Sequence, residues 1–199
     1  MKKIISLVII LTTLFALAIP ANASVDYYGY TDEANNNNMA VPGTWYISYG
    51  DNELCKVEFL CQDGDALTMT YGSTDVYSSL DASARAKCSR GDIDNSLFTE
   101  ADIADLLGVN ASQVSKITIN KKEYFLAKTV TNIDYQGSTY AIDTHYWVRI
   151  TNGWLYLYQY AGIVYGDTYD SFVNVVISTS NYGISTGVTW KPNPSKVIG

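Results

Sequence analysis

The dipeptide Asn152-Gly153 constrains this chain more than any other feature. It interrupts RITNGWLYLYQYAG, residues 149–162, between two runs dense in aromatic and apolar side chains. A two-residue hairpin loop needs positive φ at both central positions, which Asn and Gly accept at little cost. The dipeptide therefore predicts a register. Ile150 faces Leu155, Arg149 faces Tyr156, Val148 faces Leu157, Trp147 faces Tyr158, and His145 faces Tyr160. Gln136-Gly137 reads as a second tight turn, which sets Tyr124 beside Arg149, Leu126 beside Trp147 and Lys128 beside His145.

Side chains alternate across a strand, so this register sorts the residues into two faces. One carries Phe125, Ala127, Tyr146, Val148, Ile150, Leu155 and Leu157 and is a core face. The other carries the rows Tyr124/Arg149/Tyr156, Leu126/Trp147/Tyr158 and Lys128/His145/Tyr160. Trp, Tyr and Arg are the residues that dominate interface energetics. Trp147, Arg149, Tyr156, Tyr158, Tyr160, Tyr124 and His145 are therefore the candidate ligand-binding residues, for a protein, peptide or glycan. That reading requires Trp147, Tyr158 and Arg149 to be partly exposed together in a groove. The competing reading is structural: Tyr and Trp are good strand formers, and a helix or the N-terminal arm covers the face. A slip of one residue would exchange the two faces.

The same periodicities organise the rest of the chain. VPGTWYISY reads as a turn and a short strand, and 54–74 as a hairpin turning at Asp63-Gly64. DVYSSLDASARAKCSRG, 75–91, reads as a short helix and loop. Thr99 to Asp102 is a capping box that opens a helix with Ile103, Leu106 and Leu107 inward and Gly108 as its stop. Strands are predicted over 114–120, 123–134, 139–151 and 154–162. Asp167 caps a last helix over 168–179, with Phe172, Val173, Val176 and Ile177 at helical spacing. The order of hairpin, helix, antiparallel meander and helix defines an α+β layered domain over 39–183. Residues 24–38, with the run Asn35–Asn38, read as a flexible arm, and 184–199 as an extended tail.

The first 23 residues read as an export signal. Lys2 and Lys3 precede an apolar stretch, and Ala21-Asn22-Ala23 forms a small-x-small cleavage site. Cleavage after Ala23 is expected, leaving a secreted chain with no later segment apolar enough to span a membrane. Without the two signal lysines, 11 basic stand against 20 acidic side chains, a net charge of −9. That balance argues against nucleic acid and anionic membrane surfaces as partners.

Three cysteines in an exported chain allow at most one internal bridge. Cys55 and Cys61 share one strand, about 20 Å apart, so any bridge uses Cys88. A helical return of about 20 Å from the end of the 54–74 hairpin favours Cys61–Cys88, with Cys55 a buried thiol.

Catalytic signals are sparse. His145 is the only histidine, no G-x-S-x-G elbow is present, and Cys88 is the one thiol a triad could use. Asp92, Asp94, Ser96 and Glu100 approach calcium-loop spacing, but Leu97 stands where the loop needs Gly and Ile103 where it needs Glu. Arg90-Gly91-Asp92 is a short string that arises by chance. No metal and no cofactor are expected. The reading is a non-enzymatic binding or assembly module, and the alternative is a small secreted hydrolase or glycan-acting enzyme.

One wider pattern stands out. VPGTW before a hairpin is followed by DVYSSL, FTEADIADLLG and KITINKKEYFLA, then by WVRITNGWLYLYQYAG and DSFVNVVISTS. In element order and hydrophobic texture, over roughly 40–182, this resembles the PsbP-like superfamily. That group includes the extrinsic photosystem II protein, a Ran-binding nuclear-transport cofactor and many exported bacterial proteins. The resemblance implies an α/β/α sandwich around a single mainly antiparallel sheet and a non-enzymatic role, and carries over no site residue. With the signal and the Asn-rich arm, it implies a bacterial secreted member.

Overall fold

The computed structural model describes residues 27–32, 37–42, 45–48, 57–61, 66–162, 169–170, 172–177, 180–182 and 197–198. The export signal, Cys55, the Asp167 cap and most of the C-terminal tail lie outside the described residues. The chain begins with β1 (Tyr27–Asp32), β2 (Asn37–Pro42), β3 (Trp45–Ser48), β4 (Val57–Cys61) and β5 (Ala66–Asp75). Two one-turn helices follow, α1 (Val76–Ser79) and α2 (Ala82–Arg85), then α3 (Glu100–Leu107). The meander is β6 (Val114–Ile119), β7 (Lys122–Tyr135), β8 (Ser138–Thr151) and β9 (Trp154–Gly162). A π-helical turn, Phe172–Ile177, and two short strands, β10 (Asn181–Tyr182) and β11 (Val197–Ile198), complete it.

One eight-stranded sheet runs in the order β11-β3-β4-β5-β9-β8-β7-β6. All its neighbours are antiparallel except β11, which pairs parallel to β3. The Asn152-Gly153 register is met pair by pair, from Ile150↔Leu155 to His145↔Tyr160. Both turn residues have positive φ, +49° and +74°, as do Gln136 and Gly137 at the next hairpin. Leu126↔Trp147 and Lys128↔His145 pair as expected, but the β7–β8 ladder ends at Phe125↔Val148, one pair short of Tyr124 and Arg149. There the strands are bridged by the buried Asn95 side chain. It donates to Glu123 O (2.8 Å) and accepts from Ile150 N (2.7 Å).

Each sheet face has its own cover. On one, Phe125, Ala127, Val148, Ile150 and Leu155 are buried with Ile93, Ile103 and Ala104. The capping box of α3 is formed as read, with Asp102 accepting from Thr99 N at 2.7 Å, and Gly108 closes the helix in the left-handed region. Leu106 departs from expectation and is exposed. On this eight-residue helix the inward stripe is Ile103, Leu107 and Ala104, with Leu107 between the other two, and Leu106 falls about 60° outside it.

The other face is covered by a three-stranded ribbon, β1-β2-β10, and by the π-helical turn packed on β2. The α+β sandwich therefore stands, with a second outer layer that is largely β-ribbon. Two expectations change with it. Within the stretch read as an arm, 27–32 and 37–38 are paired strand, because Asn37, Met39 and Val41 alternate onto one face and all three are buried; 33–36 lie outside the described residues. The last helix is π-wound over Phe172–Ile177, where Phe172, Val176 and Ile177 bury as predicted and Val173 is half-buried; 168, 171, 178 and 179 lie outside the described residues. The tail also contributes, since Val197 and Ile198 pair with Ile47 and Ser48.

The cysteine expectation is corrected as well. Cys88 is a free cysteine whose Sγ lies 3.4 Å from Ala84 O. The segment after β5 does not travel back along the hairpin. Arg90 forms a two-point ion pair with Asp75, 2.9 Å at each oxygen, and so holds 76–92 at the Asp75 end. Phe59 pairs with Met69, so Cys61 lies at the other end of β5, more than about 20 Å along the strand from Asp75. Cys88 instead packs against the core of the helix-covered face.

The same segment clamps the hairpin tip. Gly153 N donates to Ile93 O (2.9 Å), and Tyr77 N donates to Gly153 O (3.0 Å). The Arg90 guanidinium lies 4.9 Å from the centroid of the Tyr77 ring and 5.5 Å from that of Trp154. A Cβ on Gly153 would meet Arg90 Cγ at 2.7 Å and Tyr77 Cβ at 2.8 Å, on a backbone with φ of +74°. Gly153→Ala should therefore cost more than about 1 kcal/mol, from left-handed strain and the broken clamp together. Urea unfolding of the variant reads this directly, and a midpoint equal to the parent's would refute the clamp.

Candidate functional site

The aromatic rows do not line an open groove. Tyr124, Trp147, Tyr156, Tyr158 and Tyr160 are each no more than 1% exposed and form one core with Met39, Val41, Trp45, Tyr71 and Phe172. Trp147 packs against Phe172 at 5.6 Å between ring centroids, and Tyr71 against Tyr158 at 5.3 Å. The structural reading is the correct one for these five, and the reason lies in the hydroxyls. A buried phenol needs a hydrogen-bond partner, and the covering layer supplies them. Asn37 Nδ2 donates to Tyr71 OH (3.0 Å) and Tyr158 OH (3.2 Å), and Ser180 Oγ donates to Asn37 Oδ1 (2.9 Å). Tyr158 OH also meets Ser180 Oγ, and Tyr124 OH donates to Ile177 O (3.1 Å). Burial, with the neighbouring Tyr158, holds the Tyr124 phenol far above its ordinary value.

Arg149 and His145 have separate fates. Arg149 is half-buried at a shallow recess of about 300 Å³ with Asp94, Asn95, Glu123 and Thr151. Its charge, after the burial of the amine itself, helps lower Lys122 to about 8, and Lys122 Nζ donates to Ser180 O. His145 lies four residues back along β8, roughly 13 Å away, at the other end of the aromatic rows. The candidate residues are thus split between a core and two unconnected openings.

The larger opening is at His145. Among the described residues, β9 pairs only as far as Asp143, whereas β7 and β8 run on as a two-stranded arm to the Gln136-Gly137 tip. At the base of that arm is a cleft of about 740 Å³, lined by Gln113, Lys128, Thr129, Val130, Asp143, His145, Tyr169 and Asp170. His145 Nδ1 lies 2.9 Å from Tyr169 OH, and the two rings meet edge to face at 5.4 Å. Tyr169 also packs edge to face on Tyr160 at 5.0 Å, so the aromatic core continues into the wall of the cleft. Gln113 Nε2 reaches Lys128 O (3.1 Å) and fixes the rim.

Electrostatics keep this cleft close to neutral. His145 is lowered to about 4, by burial first and then by the Lys128 ammonium, with Asp143 opposing both. Burial, then Asp170, raises the Tyr169 phenol. At neutral pH the pair is an uncharged imidazole and a protonated phenol, flanked by one ammonium and two carboxylates. Among the described residues no group of three or more His, Cys, Asp or Glu side chains converges as a metal site would. Asp92 and Asp94 accept from Ser89 N (2.7 Å) and Ser96 N (2.8 Å), so both act as caps of short turns.

Sequence reasoning named His145 but missed Asp143, Tyr169, Asp170 and Gln113. The available signal was strand length. Strands predicted over 123–134 and 139–151 outrun one at 154–162, so β7 and β8 must overhang and expose their last row.

No family model matches the chain, and no curated protein matches it. Among solved structures, the chain is similar to a crystal structure from Bacteroides thetaiotaomicron, at 15% identity and a TM-score of 0.49. That likeness covers 82% of this chain and 50% of the other, so the chain spans half the length of the Bacteroides protein. It is also similar to the solution structure of cyanobacterial PsbP from Synechocystis, at 12% identity and a TM-score of 0.46, covering 83% of this chain and 97% of that one.

His145 supplies a pH prediction. Its pKa in the folded chain, about 4, lies below the ordinary 6.5, so between these values the unfolded chain binds the proton more readily. The stabilisation is complete above pH 6.5 and is lost as pH falls toward 4, by at most about 3 kcal/mol and less where cleft water reaches the ring. The titratable groups that face the ring are Lys128, Asp143, Tyr160 and Tyr169. Stability of His145→Gln, measured against the parent from pH 7 to pH 4, should fall less steeply. Parallel curves would contradict this account.

Proposed function

We propose that the chain is an exported, non-enzymatic binding module, and that its cleft beside His145 takes a neutral, hydroxyl-rich ligand such as a glycan segment. The observation that carries this reading is the cleft lining. Lys128, Asp143 and Asp170 nearly balance in charge, so a free ion gains little there, yet each group still bonds to hydroxyls. Gln113 and Thr129 add further donors and acceptors, and the Tyr169 and His145 rings supply an apolar wall for a sugar face. The non-enzymatic reading is supported by the engagement of His145 Nδ1 with Tyr169 OH at 2.9 Å. The free thiol, Cys88, packs on the opposite face of the sheet. Export is supported by the run from Lys2 to Ala23.

The test uses protein recovered from the culture medium, whose mass should correspond to a chain starting at Ser24. Calorimetric titration with a panel of neutral oligosaccharides should reveal binding. Asp143→Asn should weaken it about tenfold, the loss of a charge-assisted hydrogen bond. Affinity unchanged by Asp143→Asn would place the ligand elsewhere. Cleavage of the oligosaccharide would favour a glycan-acting enzyme, with Asp143 and Asp170 as its carboxylate pair.

A further inference from the structure

The arm that borders the cleft carries a second surface. All residues from Thr131 to Tyr140 are exposed, and Val130, Ile133, Tyr135 and Tyr140 are 62%, 43%, 61% and 37% exposed. These four make up most of the large apolar side chains found exposed among the described residues. They sit beside an open backbone edge. β6 pairs with β7 only as far as Val114↔Ala127, so the outer edge of β7 from Thr129 to Tyr135 has no strand partner among the described residues. Gln113 Nε2 approaches Lys128 O from the β6 side, so the Lys128 carbonyl points to the open edge. By alternation, the N–H and C=O groups of Val130, Asn132 and Asp134 point there as well.

Protected edges carry a proline, a bulge or a charge within the run. This one, Thr129-Val130-Thr131-Asn132-Ile133, has none, and its register with β8 is unbroken. Its charges stand at the ends, Lys128 at the base and Asp134 near the tip, where Asp134 is oriented by Thr139 Oγ1 at 2.6 Å. That pattern is complementary to itself when reversed.

We propose that two copies of this chain pair edge to edge through Thr129–Tyr135 of β7, antiparallel and two-fold symmetric about Asn132. The open edge is centred on Asn132, and the Gln136-Gly137 tip of each copy then stops short of Gln113 and β6 in the other. Asn132 faces Asn132, Val130 faces Asp134, Thr131 faces Ile133 and Thr129 faces Tyr135. The outward-pointing residues meet one another, as antiparallel hydrogen bonding requires. Lys128 of each copy lies diagonal to Asp134 of the other on the same face, within reach of a long side chain. On the opposite face Ile133 of each copy lies over Thr131 of the other and diagonal to the other Ile133, which removes part of their apolar surface from water. A parallel pairing would set lysine against lysine. An unrelated partner would have no reason to match this charge order, and that order selects a second copy.

Sedimentation equilibrium of the mature chain tests this. Mass should rise from monomer to dimer with concentration and stop there, because a two-fold interface closes. Asp134→Lys and Lys128→Asp should each abolish the dimer, and the double exchange, which restores opposite charges, should recover it. Asn132→Pro removes an edge-facing N–H only and should also leave a monomer, with circular dichroism confirming the fold. A monomer up to about 1 mM, where even a millimolar association would register, overturns the proposal. So does growth beyond the dimer, or an Asp134→Lys variant that dimerises as the parent does.

Discussion

The amide of Asn37 joins the three parts of this molecule. Its nitrogen serves two tyrosines of the sheet, Tyr71 on β5 and Tyr158 on β9, and its oxygen serves Ser180 beyond the π-helical turn. The need for such a group follows from the sheet. Both faces are dense in large side chains, and on the ribbon side most are tyrosines. A tyrosine stabilises a core through its ring but costs free energy if its hydroxyl is buried without a partner. Apolar cover alone would leave those hydroxyls unsatisfied. The ribbon brings Met39 and Val41 for the rings and Asn37 for the oxygens, on alternate positions of one strand.

How much of this was legible follows from how each signal is coded. The sheet was readable because Asn152-Gly153 and Gln136-Gly137 are local, and turn geometry propagates down two strands without further information. The α3 helix was readable from Thr99, Asp102 and Gly108 for the same reason. The fate of the aromatic face was not, because it depends on what lands on it from far away. Asn37 is one of four consecutive asparagines, and nothing local distinguishes it from the other three. Composition made Asn37 look unstructured, and a tertiary contact overrode composition. Cys88 was misplaced by the expected helical return of about 20 Å after the 54–74 hairpin. The two single turns after β5 fold back on Asp75 through Arg90, a contact with no local signature.

Unequal strand lengths shape the outer surface. β7 and β8 each have 14 residues, against nine in β9 and six in β6. The overhang past β9 leaves His145 and Asp143 at the mouth of a cleft, and the overhang past β6 leaves a bare backbone edge. Two different kinds of surface, one polar and concave, the other flat with apolar side chains, arise from the same few extra residues on one hairpin.

The Asn37 lock also orders events in time. Its partners lie 34, 121 and 143 residues away along the chain. The hairpins around Asn152-Gly153 and Gln136-Gly137 close short loops and can form early, whereas contacts of such separation form late. Until Ser180 has arrived, the tyrosine face has a sheet but no complete lid. The drying of the chain's most aromatic surface and the pairing of its hydroxyls are therefore expected late in folding.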